Sequence, residues 1–342
     1  MVSLFYSRRF FEHSQGYMHP ESPERLSVIL ETLNEFKKAN KDVKMNIIEI
    51  ESKAKNEINE MKEMKEINEM KEINETKETN EKELFIVHEK NYIEKLKIYS
   101  SKKISFPDNR FDEKTFEIAK LAAFTAKAAA LNCEKDYSFA LVRPPGHHAG
   151  KNFFAGFCYI NNIAFAVKSL QKTKKEKTEE KKTEKEKTEK ESKVMVIDID
   201  YHAGNGSWDI FYDDESVFFL DFHCDPKFAY PGTGFESENT NHMVNVTFSP
   251  NTSDEEYIEK FEKNVKKYFK IFNPDFVAVS IGFDTYYLDP IAGLDIKNSK
   301  TYATLGKIIK SLGVPVFGTL EGGYYIPKLG ENFLNFISSF LE

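Results

Sequence analysis

The sequence predicts an α/β fold in which a mostly parallel sheet is flanked by helices. Three observations carry that expectation. Apolar runs of strand type alternate along the chain with segments whose apolar residues recur every three or four positions. Runs such as FALV, VMVI and FVAV are apolar throughout, as strands buried on both faces are. Several runs then end abruptly in Asp, His, Gly or Pro, beyond the carboxyl ends of strands, where open parallel sheets keep their ligands.

Taken in order, VSLFYS reads as a strand, at an edge or buried. From His19 to Phe36 the prolines make a turn and a helix entry, and Leu26, Ile29, Leu30 and Leu33 form a helical stripe. Arg25, at the start of that helix, reads by itself as a solvated charge or a local ion pair. Residues 51–83 are repetitive, charged and poor in aromatics. They are read as an insert, a mobile segment with helical tendency and no catalytic role, in competition with a solvated or coiled helix. LFIVHEKNYIEKLK, from Leu84, is expected to be a strand followed by a helix, with His88 structural or capping. Asp108, in the loop SFPDNRF, is a turn aspartate by default and a pocket-rim residue in the sharper reading. An Ala-rich helix from Glu113 to about Asn132 follows.

SFALV is then a buried strand, and RPPGHHAG a rigid turn that carries His147 and His148. Gly156 and Phe157 precede an apolar helix containing Ile160, Ile163, Ala164 and Val167, so Phe157 belongs either to the core or to a pocket wall. Residues 171–193 form a second charged insert, a solvated loop or a frayed helix. After the strand at Val194 come a helical segment at 208–212, the strand SVFFLDFH, and the loop FAYPGTG with Tyr230. The strand HMVNVTF, an amphipathic helix from Asp254 to Phe272, the strand FVAVSI ending in Asp284, a loop and another helix follow. The strand Val314–Leu320 leads through Glu321-Gly322-Gly323 to Tyr324. Paired glycines let backbone approach a site closely.

The bulk numbers bound the function. The chain has 342 residues, 40% of them hydrophobic, enough for a large core. We read residues 1–342 as a single catalytic domain interrupted by the two inserts. A net charge of −7 offers no general attraction to nucleic acid, so no direct nucleic-acid binding is expected. Three cysteines without paired spacing point to a reducing, cytoplasmic setting. No signal peptide and no membrane-spanning apolar run is visible, so no membrane partner is expected. The oligomeric state stays open.

The most informative stretch is VMVIDIDYHAGNG, Val194 to Gly206. Side chains two apart in a strand point the same way, so Asp200 and His202 converge just beyond the strand end. A carboxylate and an imidazole meeting there suit a divalent metal such as zinc or ferrous iron. Adjacent histidines on a Pro/Gly loop suit proton transfer near neutrality. In a parallel sheet His147, His148, Asp200, His202, Asp284 and Tyr324 all follow strand ends that share one edge.

At this point the sequence resembles the zinc-dependent histone deacetylase superfamily, which includes acetylpolyamine amidohydrolases and acetoin-utilisation proteins. The motifs HPESPERL, RPPGHHA, GFCYINN, DIDYHAGNG, YPGTG, GFD and LEGGY stand in that family's order and cover the chain apart from the inserts. Asn205 and LEGGY are closer to its class II and prokaryotic branch. The resemblance implies the three-layer α/β/α arginase-like fold. It implies Asp200, His202 and Asp284 as metal ligands, with Asp198 orienting His147 and Asn205 orienting His148. His148 would be the general base and then acid, His147 an electrostatic aid, and Tyr324 a hydrogen-bond donor to the substrate carbonyl. Gly156, Phe157 and Tyr230 would flank a narrow channel with Asp108 at its rim, and Arg25 would line the side of acetate release. Zinc (or ferrous iron) and a structural potassium ion near Asp198, Asp200 and His202 are the implied cofactors. Acetylated lysine, polyamine or a small acetylated amine is the implied substrate. One departure is Ala203, where many relatives carry a second histidine. It is not a ligand position and bears on local packing. The alternatives are a non-catalytic binding protein of the same fold and an arginase-like ureohydrolase, which would assemble two metals with more aspartates and histidines.

Overall fold

The computed structural model describes residues 1–50, 80–181 and 191–341. Its eight strands form one all-parallel sheet in the order β2-β1-β3-β8-β7-β4-β5-β6. The strands are β1 Val2–Tyr6, β2 Met45–Glu49, β3 Tyr137–Ala140, β4 Val194–Asp198, β5 Val217–Cys224, β6 Met243–Phe248, β7 Phe276–Ile281 and β8 Val316–Leu320. β4, β5 and β7 are buried at every position, which explains their unbroken apolar sequence. β1 lies second from the edge, between β2 and β3.

The helices among the described residues are α1 Glu24–Ala39, α2 Lys90–Lys102, α3 Thr115–Asn132, α4 Asn162–Lys181, α5 Asn205–Phe211, α6 Asp254–Phe272, α7 Lys300–Lys310 and α8 Ile326–Leu341. They complete the expected three layers. α3 and α4 pack together against the middle of the sheet, and α1, α7 and α8 form a second packed group. The small side chains Ala119, Ala122, Ala123, Ala126, Ala129 and Ala130 are wholly buried, so α3 lies close to its neighbours.

Four elements differ from the sequence expectation. Residues 81–86 form a 3₁₀ helix, not a strand. Asn80 caps it by accepting from the Lys82 N–H, and Leu84 and Val87, three apart, turn inward together. β2 escaped prediction because it is an edge strand in which only Met45 is fully buried. α8 lies beyond the predicted elements, although Leu329, Phe333, Phe336, Ile337 and Phe340 make a buried helical stripe. Of the second insert, residues 171–181 continue α4, anchored by Gln171 Nε2 donating to Ser192 O at 2.8 Å and Ser216 Oγ at 2.9 Å. The remainder, 182–190, and residues 51–79 of the first insert lie outside the described residues.

The topology places the site. β3, β8, β7 and β4 are consecutive neighbours, and all four point the same way. The segments that leave their carboxyl ends therefore meet at one edge. They carry the histidine pair, Tyr324, Asp284, and the Asp198–His202 stretch, respectively.

Candidate active site

Past β4 the backbone turns so that the carboxylates of Asp198 and Asp200 sit at 0% exposure. Asp200 Oδ1 accepts from the His202 N–H at 2.9 Å and Oδ2 from the Gly322 N–H at 2.8 Å. Asp284, past β7, accepts from the Tyr201 N–H at 2.9 Å. His202 Nδ1 lies 3.1 Å from Asp200 Oδ1 and 3.1 Å from Asp284 Oδ2. One ligand atom from each of the three lies within 4.8 Å of the others. Two carboxylates and an imidazole are a donor set for a divalent cation, and the shared position of the His202 proton is where such a cation would stand. The close approach needs glycine: a Cβ at Gly322 would collide with carboxylate oxygens of both Asp284 and Asp200.

The two histidines lie on the 141–161 loop, their ring centroids 4.0 Å apart. His147 Nδ1 faces Asp198 Oδ2 at 3.2 Å, and His148 Nδ1 faces Asn205 Oδ1 at 2.7 Å. Their surroundings pull them apart. Burial disfavours charge on both. At His147 the carboxylates of Asp200 and Asp198 outweigh burial and hold the ring well above its usual value. At His148 burial acts together with His147 and His202 and drives it well below. A neutral His148 that donates from Nδ1 to the Asn205 amide oxygen keeps Nε2 as an acceptor. A cation among the aspartates would discharge them and withdraw much of their support from His147.

A cleft of about 140 Å³ opens over this cluster, lined by His147, His148, Asp200, His202, Gly156, Phe157, Tyr230, Asp108, Tyr324, Pro145 and Ile291. Phe157 is therefore wall rather than core. Gly156 (φ 50°) and Phe157 (φ 67°) are both left-handed, a strained pair for which the non-glycine member is unusual. The Phe157 ring stands edge-on to Tyr324, centroids 6.0 Å apart, and Tyr230 stands edge-on to His148 at 5.2 Å. Asp108 is exposed at the mouth. Tyr324 is 7% exposed, and burial pushes its phenol well above the usual range, so it remains a donor. Asp198, Asn205 and Asp284 do not line the cleft but touch His147, His148 and His202, which do.

Arg25 is not solvated. It is fully buried, donating from Nε to Gly323 O at 2.7 Å and from Nη2 to Glu321 O at 2.5 Å, with its guanidinium 4.7 Å over the Tyr324 ring. The local ion pair is present, to Glu21 at 3.3 Å. Hydrogen bonds to carbonyls 298 and 296 positions away make burial affordable, and no local pattern announces them. Ala203 is buried.

Sequence reasoning missed three residues of this neighbourhood. Glu321 reaches the histidine loop. Asp289 accepts from the backbone N–H of Tyr324 at 2.6 Å and of Ile291 at 3.1 Å. Asp209 accepts from the Lys151 N–H at 2.7 Å. The available signal was an acid next to a motif already singled out, as Glu321 is in LEGGY.

An all-parallel three-layer scaffold, with paired imidazoles, a carboxylate–imidazole cluster and a phenol around one cleft, is an arrangement suited to hydrolysis. Residues 19–340 match the histone deacetylase domain. The chain belongs to the histone deacetylase family and is a hydrolytic deacetylase. It is 29% identical to a probable deacetylase of Archaeoglobus fulgidus, over 95% of this chain and 82% of that protein. It is 34% identical to the acetylpolyamine amidohydrolase of Mycoplana ramosa, over 58% of this chain and 54% of that protein. Among solved structures, the HDA15 HD domain matches with a TM-score of 0.80 and 27% identity, over 99% of this chain and 88% of that one. The family assignment sets aside the non-catalytic and ureohydrolase alternatives. Among the described residues, no helix is long and apolar enough to cross a membrane.

Proposed function

We propose that the chain removes an acetyl group from an acetylated amine, with His148 as general base and then general acid. The observation that carries this reading is the His148 ring: Nδ1 is committed to Asn205 at 2.7 Å, and the ring lines the cleft with Nε2 left to accept a proton. Asp200, His202 and Asp284 would hold the divalent ion, for which zinc and ferrous iron both fit. When bound, that ion supplies Lewis acidity, polarising a carbonyl and acidifying water. His148 takes the proton of the attacking water as its oxygen adds to the amide carbon. The same proton passes to the departing nitrogen as the C–N bond breaks, giving a free amine and acetic acid, which ionises to acetate. Tyr324 donates to the oxyanion that forms in between. Among the described residues its hydroxyl has no other hydrogen-bond partner. Asp198 fixes the ring of His147, which gives electrostatic help to the same oxyanion.

Gly156, Phe157 and Tyr230 serve as the walls that admit an extended acyl-amine arm, with Asp108 at the rim to meet a backbone N–H or an amine. Arg25 holds the Tyr324 ring and lends positive charge on the side from which acetate departs. A structural potassium ion near Asp198, Asp200 and His202 is supported by Asp221. Its Oδ1 is buried without a partner, and burial with the neighbouring Asp198 holds its carboxyl well above the usual range, a strain that a cation relieves. Three buried free cysteines agree with a reducing, cytoplasmic setting.

Acetylated lysine, acetylated polyamines and small acetamides all present the bond that this chemistry cleaves. Acetate release by the zinc-loaded protein from a matched panel of the three tests the reading. Release from at least one member is expected, and the preferred member names the substrate class. No release from any, at stoichiometric metal, would reject the acetyl reading.

A further inference from the structure

We infer that Glu321 is a positioning residue that locks the histidine loop to the segment that carries Tyr324 after β8, a role that rests on the amide-hydrolysis reading above. Glu321 follows β8 directly and is wholly buried. Its main chain is held on both sides: its N–H donates to Ile281 O of β7 at 2.8 Å, and its carbonyl accepts from Arg25 Nη2 at 2.5 Å. From that fixed base the side chain reaches across to the loop after the neighbouring strand β3. Oε2 accepts from the Gly146 N–H at 2.7 Å and the His147 N–H at 3.1 Å. Oε1 accepts from Thr319 Oγ1 at 2.9 Å, which fixes the rotation of the carboxylate. The next residue, Gly322, donates to Asp200 Oδ2 at 2.8 Å. Two consecutive residues thus register the histidine pair, a candidate metal ligand and the approach to Tyr324 against one another.

The carboxylate does not line the cleft, so it acts through the loop and not on substrate. It also groups with His147 and Cys158 within 4.8 Å, but three donors already occupy its oxygens and Asp198 faces the His147 Nδ1. A clamp is what that geometry serves. The rest of the loop is held independently. Ser207 N–H donates to His147 O at 3.0 Å, Asn162 Nδ2 to Pro144 O at 3.0 Å, and Asn161 Nδ2 to Ala149 O at 3.0 Å. Loss of the clamp therefore frees the tilt of two imidazoles more than it frees the loop.

The test compares the zinc-loaded wild type with Glu321→Gln and Glu321→Ala. It combines steady-state kinetics on an acetyl-lysine peptide with ¹⁵N NMR of the histidine side chains. Glu321→Gln keeps an oxygen for both N–H groups and should stay within threefold of the wild-type kcat. Glu321→Ala should lose at least tenfold in kcat with KM within twofold and metal stoichiometry unchanged. Its His148 Nδ1–H resonance should shift or broaden. Wild-type kcat with unmoved imidazole signals would overturn the inference, and so would a lowered Tm with kcat and signals unchanged. If Glu321→Ala does not fold, Thr319→Val takes its place. Three- to tenfold lower kcat with the same resonance displaced supports the clamp, and no change in either refutes it. The NMR readout does not need turnover, so a chain inactive on acetyl-lysine but with displaced signals would fail the substrate reading and not this one.

Discussion

Two systems of buried charge flank Tyr324, and they are built in opposite ways. On the cleft side Asp198, Asp200 and Asp284, all at 0% exposure, face two imidazoles. On the far side Arg25 and Arg143, also at 0%, share the single carboxylate of Glu21. One side carries surplus negative charge, the other surplus positive. Their fates differ because the positive surplus is dispersed. Arg143 donates to Phe10 O at 2.7 Å as well as to Glu21 at 2.6 Å, and Arg25 to Gly323 and Glu321 carbonyls. The negative surplus is concentrated instead, with ligand atoms from three residues within 4.8 Å. Dispersed charge that is hydrogen-bonded at every turn builds structure. Concentrated charge of one sign calls for a counter-ion.

If that contrast is right, substitutions on the two sides should separate activity from stability. The largest effect is expected for His148→Ala: a loss of about 10³-fold in kcat, within the range of general acid–base catalysis, with zinc still bound. Turnover near wild type would remove His148 from the proton-transfer role. Tyr324→Phe should cost about 10²- to 10³-fold in kcat, as one oxyanion donor does, again with metal content unchanged. An unaltered rate would mean that the phenol only lines the cleft.

On the structural side Glu21→Gln should act on stability. Burial raises the Glu21 carboxyl, but Arg143, His13 and Arg25 outweigh it and lower it from 4.5 to about 2. Its stabilisation is therefore complete above the unfolded value and is lost as pH falls through the folded one. That shift amounts to about 3 kcal/mol at neutral pH, which chemical denaturation of the variant should reveal as a lower midpoint. A midpoint equal to wild type would show that the guanidiniums find other partners.

His88 offers the finest distinction. Its Nδ1 donates to Gly150 O at 2.8 Å and its Nε2 accepts from the Asn161 N–H at 3.0 Å, so the fold uses the neutral ring. Burial lowers it to about 4. The unfolded chain takes up a proton below about 6.5 while the native one does not, so stability falls as pH drops from there toward 4, by about 3 kcal/mol. His88→Gln, which can make both bonds without titrating, should flatten the unfolding free energy over that window. An unchanged slope would place the acid sensitivity elsewhere, for example in His13, which burial also lowers to about 4.

The same contrast explains what could be read from the sequence. The parallel sheet was legible because strands buried on both faces leave unbroken apolar runs. The residues gathered at the sheet edge were legible because each follows such a run: Asp200 and His202 after β4, Asp284 after β7, Tyr324 after β8. Glu21, Arg25 and Arg143 were not, because their burial depends on partners supplied by Phe10, Gly323 and one another, across the whole length of the chain. Arg25 read locally as a surface charge for that reason. Glu321 was hidden differently. It stands inside a motif noticed for its glycines and tyrosine, while the donors that it meets are backbone N–H groups, which no side-chain pattern can show.

The most direct test is metal content set against acetate release in wild type and Asp284→Ala. The account predicts one tightly held divalent ion per wild-type chain in the cluster, acetate release that rises with added zinc until that ion is bound, and neither in the variant. Full acetate release by metal-stripped wild type, or by Asp284→Ala, would contradict it.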